Sequence, residues 1–110
     1  MIITERGSQF GYHDLVVDFK GIPIMQEYAP VVMDITHSLQ QPNHSSGITA
    51  GQPQLIETLA KAAIATGVDG IFIETHPDPK EAKSDGANML PLNQLEDLLK
   101  RLVKLKKALF

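Results

Sequence analysis

The sequence predicts an α/β fold built on parallel strands, and three of its features support that expectation. Apolar runs of strand length alternate with segments of helical period, in the order β-α-β-α-β-α. The runs at 31–36 and 70–75 are apolar at successive positions, as parallel strands buried on both faces are. The last run ends abruptly in Glu74-Thr75-His76-Pro77-Asp78-Pro79, continued by Ser84-Asp85-Gly86-Ala87-Asn88. Parallel α/β folds present their reactive groups at C-terminal strand ends in this way. Alternation of this kind implies right-handed crossovers between neighbouring strands.

The elements follow in order. Residues 1–4 form a short β-prone run, followed by Glu5-Arg6-Gly7 and a polar, glycine-bearing loop to Asp14. Leu15-Val16-Val17 is apolar but brief. Asp18 is placed to cap a helix running toward Tyr28, with Pro23 tolerated in its first turn. The second strand spans 31–36 after Pro30 and leads into His37. The polar connection from Ser38 to Gln52 is long for a compact domain, which marks it as functional or mobile. Pro53 suits a first helical position, and Leu55, Leu59, Ala62 and Ala63 continue a helix that Gly67 stops. After the third strand, Asp78-Pro79 reads as the cap and first residue of a single turn through Lys83. The last helix starts near Leu92 and runs to about Leu109. Leu92, Leu95, Leu98, Leu99, Leu102, Leu105 and Leu109 predict one buried stripe along it. Its early acids and late bases complement the helix dipole, and the basic cluster reads as a solvated face.

Composition narrows the function classes. The chain has 110 residues, a formal charge of -3 and no cysteine, which argues against a nucleic-acid surface, a disulfide framework or a thiolate ligand within it. No window is apolar for long enough to span a membrane, and the N-terminus becomes charged too early for a signal peptide. A cytoplasmic protein with no membrane or nucleic-acid partner is the plain expectation.

Side-chain alternation then groups the polar residues. Ile2, Thr4 and Arg6 share a face of the first strand; Val31, Met33, Ile35 and His37 share one of the second; Phe72, Glu74 and His76 share one of the third. If these faces all line one interior, Arg6, His37 and Glu74 converge at the C-terminal mouth, within reach of Asp85. Such a set describes an anion site that could also take a divalent cation. Each member has a plainer reading. His37 could be a satisfied surface residue, Asp85 a turn residue, Asp78 a helix cap, and Arg6 a salt-bridge partner of Glu5 or Asp34. Glu74 is the least ordinary, because a carboxylate at the end of an apolar strand needs a partner.

Five motifs match one family in the same order. They are Glu5-Arg6-Gly7-x-x-Phe10-Gly11-Tyr12, Asp34-x-Thr36-His37-Ser38-x-Gln40, Ser46-Gly47, Glu74-Thr75-His76-Pro77-Asp78-Pro79 and Ser84-Asp85-Gly86-x-Asn88. On these motifs the chain resembles the C-terminal part of the 3-deoxy-D-manno-octulosonate 8-phosphate (Kdo-8-phosphate) synthase family. The related 3-deoxy-heptulosonate 7-phosphate synthases fit the Glu-Thr-His-Pro-Asp-Pro motif less well.

The resemblance implies a (β/α)8 TIM barrel of which residues 1–110 supply strands six to eight and their helices, as one incomplete domain. It implies condensation of phosphoenolpyruvate with D-arabinose 5-phosphate and water, releasing phosphate, on the path to lipopolysaccharide. It also implies a divalent metal, Zn, Fe(II) or Mn, held by His37, Glu74 and Asp85, although the family includes a metal-independent class. Arg6 matches the arginine that binds the phosphoenolpyruvate phosphate. Ser46 and Asn88 fall in motifs taken to bind substrate, the loop from Ser38 to Gln52 matches one that closes over sugar phosphate, and relatives are generally tetramers. On this reading the chain is an enzyme fragment, inactive alone. The other reading is a non-catalytic half-barrel remnant, free to lose Arg6, His37, Glu74 and Asp85; all four are present.

Overall fold

The computed structural model describes residues 1–9, 14–41, 51–83 and 86–110. Three short strands, β1 (Ile3–Glu5), β2 (Val31–Asp34) and β3 (Gly70–Phe72), form one parallel sheet in the order β1-β2-β3. Helix α1 (Gly21–Gln26) joins β1 to β2, and α2 (Ile56–Thr66) joins β2 to β3. Consecutive parallel neighbours with crossovers of one hand put both helices on the same face of the sheet. As far as β3 the order of strands and helices is the expected one, and the sheet is parallel.

The register decides which side chains that helical layer covers. Ile3 pairs with Val31 and Glu5 with Met33, while Met33 pairs with Ile71. Val31, Met33 and Ile35 are fully buried in a core with Ile22 of α1, Ile56, Ala60 and Ala63 of α2, and Leu98 and Leu102 of α3 (Leu95–Leu109). Ile3, Ile71 and Ile73 pack against that core. The opposite face carries Thr4, Val32, Asp34, Gly70 and Phe72. This corrects the alternation read from the sequence, which put Met33 and Ile35 on the same face as Ile2 and Phe72. Ile2 and Phe72 are 65% and 43% exposed, whereas Met33 and Ile35 are the centre of the helix-side core. The assignment slipped by one residue in β2, and in a strand a one-residue slip exchanges the faces.

The helices follow local chemistry. In α2 the small residues Ala60 and Ala63 are fully buried, which lets the helix lie close to the sheet. A 3-10 turn beginning at Pro53 leads into it, and Gly67 ends it in the left-handed region at φ 90°, with its N–H donating to the carbonyls of Ala63 and Ile64. Helix α1 is shorter than expected. Asp18 accepts the Lys20 N–H at 3.1 Å in a preceding turn, so the helix starts only at Gly21, with Pro23 in its first turn. Helix α3 begins at Leu95 after a 3-10 turn over Leu92–Gln94. Its predicted single stripe is divided: Leu98 and Leu102 are buried, but Leu92, Leu99 and Leu109 are exposed with Val103 and Phe110.

The third predicted strand also departs from expectation. It breaks after Phe72, and β4 (Thr75–His76) pairs in parallel with a further strand, β5 (Leu90–Pro91). Asp78 caps the 3-10 turn Pro79–Glu81 as predicted, accepting the Lys80 N–H at 3.3 Å.

Candidate active site

The C-terminal ends of β1, β2 and β3 assemble the site. Strand β2 ends at Asp34, and the chain turns at once into the 3-10 segment His37–Leu39. Asp34 makes that turn: its Oδ1 accepts the backbone N–H of Thr36 at 2.9 Å and of His37 at 2.8 Å. Ser38 Oγ donates to the Asp34 carbonyl. His37 therefore reaches the mouth through a turn and not by alternation along the strand.

The His37 ring lies between two carboxylates. Its Nδ1 is 2.7 Å from Asp34 Oδ2 and its Nε2 is 3.2 Å from Glu74 Oε1. The Phe72 ring flanks it, with centroids 5.8 Å apart and planes tilted by 32°. Glu74 is set by its own main chain, whose N–H donates to the fully buried Thr36 Oγ1 at 2.8 Å. One short motif, Asp34-Ile35-Thr36-His37, thus fixes both partners. Arg6 follows directly on β1, is exposed, and donates from Nη2 to Gln40 Oε1 at 3.2 Å. Beside it Glu5 Oε1 accepts the Gly7 N–H at 2.7 Å, and Gly7 takes a positive φ of 93°.

Of the predicted residues, Arg6, His37 and Glu74 stand at the same edge of the sheet. Asp85 and Ser46 lie outside the described residues, as do the Phe10-Gly11-Tyr12 motif and residues 42–50 of the long connection. Asn88 is 1% exposed, and its Oδ1 accepts the Gln52 N–H at 3.1 Å. A side chain at Gly51 would collide with that same amide oxygen, so glycine is required there for the close approach. Asp14 gathers the two flanks of residues 42–50: its Oδ1 accepts from Gln41 Nε2 at 2.9 Å and from Gln52 Nε2 at 2.6 Å. His76 turns to local work, its Nδ1 accepting the Asp78 N–H at 2.9 Å.

Asp34 and Thr36 were not among the predicted site residues. The signal was available: an Asp at a strand end, two and three residues before Thr36 and His37, is an Asx-turn pattern.

Two of the donors a divalent cation would need face each other here. Nε2 of His37 and a Glu74 oxygen face each other at a separation that two ligands of one ion would have, and a carboxylate on the opposite ring nitrogen is the usual support of a metal-bound imidazole. Among the described residues, no group of three or more His, Cys, Asp or Glu side chains is placed to hold a metal.

Parallel strands with helices on one face and polar groups at the C-terminal edge are consistent with part of a barrel-type α/β protein. Comparison with known proteins narrows that class. Residues 1–110 match the DAHP synthetase I family, and the chain belongs to it. It is 49% identical over 109 residues to a 2-dehydro-3-deoxyphosphooctonate aldolase of Koribacter versatilis, covering 96% of this chain and 39% of that protein. It is 52% identical over 104 residues to the protein of the same name in Helicobacter acinonychis, covering 94% of this chain and 38% of the other. Among solved structures, a phospho-2-dehydro-3-deoxyheptonate aldolase of Thermotoga maritima matches with a TM-score of 0.79 at 31% identity, covering 98% of this chain and 30% of that one. The chain therefore spans about two fifths of the length of the curated relatives it matches.

Proposed function

We propose that this chain forms strands six to eight, with their helices, of a (β/α)8 barrel that condenses phosphoenolpyruvate with D-arabinose 5-phosphate and water. The products are 3-deoxy-D-manno-octulosonate 8-phosphate and inorganic phosphate, for lipopolysaccharide synthesis, and the reading goes with a cytoplasmic enzyme. Its main support is the pairing of His37 Nε2 with Glu74 Oε1 at the C-terminal edge of a parallel sheet, in a chain about half identical to proteins named for that product.

In this reading Arg6 binds the phosphate of phosphoenolpyruvate, for which a planar, permanently charged guanidinium is suited. Gln40 holds that guanidinium from the side. His37 and Glu74, joined by Asp85, hold a divalent cation, and Ser46 and Asn88 belong to the substrate-binding surround. When bound, such an ion supplies Lewis acidity that orients and polarises the sugar aldehyde or the attacking water. The protein's own share is positional. Asp34 and Thr36 fix the two ligands before substrate arrives, so little reorganisation is left for the reaction itself.

The heptulosonate synthases are the second reading, favoured by the Thermotoga structure. The two differ in the length of the acceptor, since an octulosonate needs a five-carbon aldose phosphate and a heptulosonate a four-carbon one. Phosphate release from phosphoenolpyruvate, measured in the full protein with each acceptor, decides between them. Faster turnover with arabinose 5-phosphate is the expected result, and preference for the four-carbon sugar would replace the proposal with the alternative.

A further inference from the structure

We infer that Asp34 is the positioning residue of this site: its carboxylate keeps the His37 proton on Nδ1 and turns Nε2 toward Glu74. The inference rests on reading His37 and Glu74 as one site, and it concerns a residue behind the imidazole, on the side away from Glu74.

Asp34 is 4% exposed, and a buried carboxylate must have its acceptors used. Both oxygens are engaged. Oδ1 takes the N–H groups of Thr36 and His37, and Oδ2 faces His37 Nδ1 at 2.7 Å. The two backbone bonds hold the carboxylate in one orientation, so its second oxygen is aimed at a single ring atom. In a neutral imidazole one nitrogen carries the proton and the other the lone pair. Nδ1 has the shorter contact, 2.7 Å against 3.2 Å for Nε2, and faces the carboxylate held by two backbone bonds, so we assign the proton of the neutral ring to Nδ1. The lone pair is left on Nε2, the atom that a cation shared with Glu74 requires. Phe72 against the ring resists its rotation.

The isosteric Asp34→Asn in the full protein tests this. Its amide oxygen can still accept from Thr36 and His37, but its NH2 now donates to Nδ1 and drives the ring proton to Nε2. Side-chain nitrogen NMR of the metal-free protein, at alkaline pH where imidazole is neutral, should show Nδ1–H in the parent and Nε2–H in the variant. Titration with Co2+ should show affinity about ten- to a hundred-fold weaker in Asp34→Asn, with altered visible bands. An Nε2–H tautomer in the parent overturns the inference without any variant. An unchanged tautomer in Asp34→Asn, or unchanged affinity in a parent that binds Co2+, also overturns it. The cation reading fails separately, if the parent binds no Co2+ or keeps it after Glu74→Ala. The tautomer measurement then still decides the role of Asp34.

Discussion

His37 is the residue on which the site turns, because its ring meets a carboxylate on each side. Its ring joins Asp34 at the end of β2 to Glu74 beyond β3. In the proposed cation reading, removing either His37 or Glu74 takes away a direct ligand, which costs more than the roughly ten- to hundred-fold that losing an outer partner does. His37→Ala and Glu74→Ala in the full protein should therefore lose both bound metal and turnover, measured by metal analysis beside the phosphate-release assay. Full turnover in both would remove the assignment. That Arg6, His37 and Glu74 stand at one edge of the sheet could be read from the sequence, because strand ends collect polar groups in parallel folds. Asp34 and Thr36 were harder to see, because their roles come from a turn that strand alternation does not encode. Asn88 shows the same limit: its burial beneath Gly51 depends on a contact 37 positions away.

At the scale of elements, helices and their stops were the most legible part. Gly67 was expected to end α2 and does so in the left-handed region, where an L side chain is strained. Gly67→Ala should cost roughly 1 kcal/mol, and a lower thermal midpoint by circular dichroism checks it. The nearest atom to the added methyl, on Phe110, is at an ordinary 3.7 Å, so backbone strain is the dominant cost. Strand limits were less legible, since the apolar run at 70–75 holds a break that only the pairing of β4 with β5 reveals.

The α2–α3 contact was not foreseen either. Arg101 grips Glu57 through two hydrogen bonds, of 2.8 and 2.6 Å, and Lys61 adds a third partner at 3.0 Å. Arg101 first, then Lys61, pulls the Glu57 carboxyl from its ordinary 4.5 down to about 2. A depressed carboxylate contributes stability that is complete above its unfolded value. That contribution is lost as pH falls from about 4.5 toward 2. Denaturant midpoints followed over that window should fall less steeply in Arg101→Met than in the parent, and equal slopes would show that the pair contributes nothing.

Taken whole, the described structure is a helical layer on one side of a three-stranded parallel sheet, with the other side uncovered. A closed barrel takes eight such units. The sheet face bearing Ile2 and Phe72 is open, and so is a second stripe of α3 with Leu99, Val103 and Phe110. That stripe borders a groove of about 590 Å³ between the end of α2, β3 and α3, lined also by Ile64 and Ile71. Exposed apolar surface of this extent drives association. The 110 residues expressed by themselves should accordingly self-associate at micromolar concentration and bind an apolar dye. Light scattering after size exclusion measures the first and dye fluorescence the second. Leu99→Glu combined with Val103→Glu puts two charges on the exposed stripe while leaving the buried Leu98 and Leu102 in place. The double variant should shift the chain toward monomer and weaken dye binding. A parent chain that stays monomeric and dye-free would mean that these faces are too small or too curved to associate, and would remove the argument from exposed area.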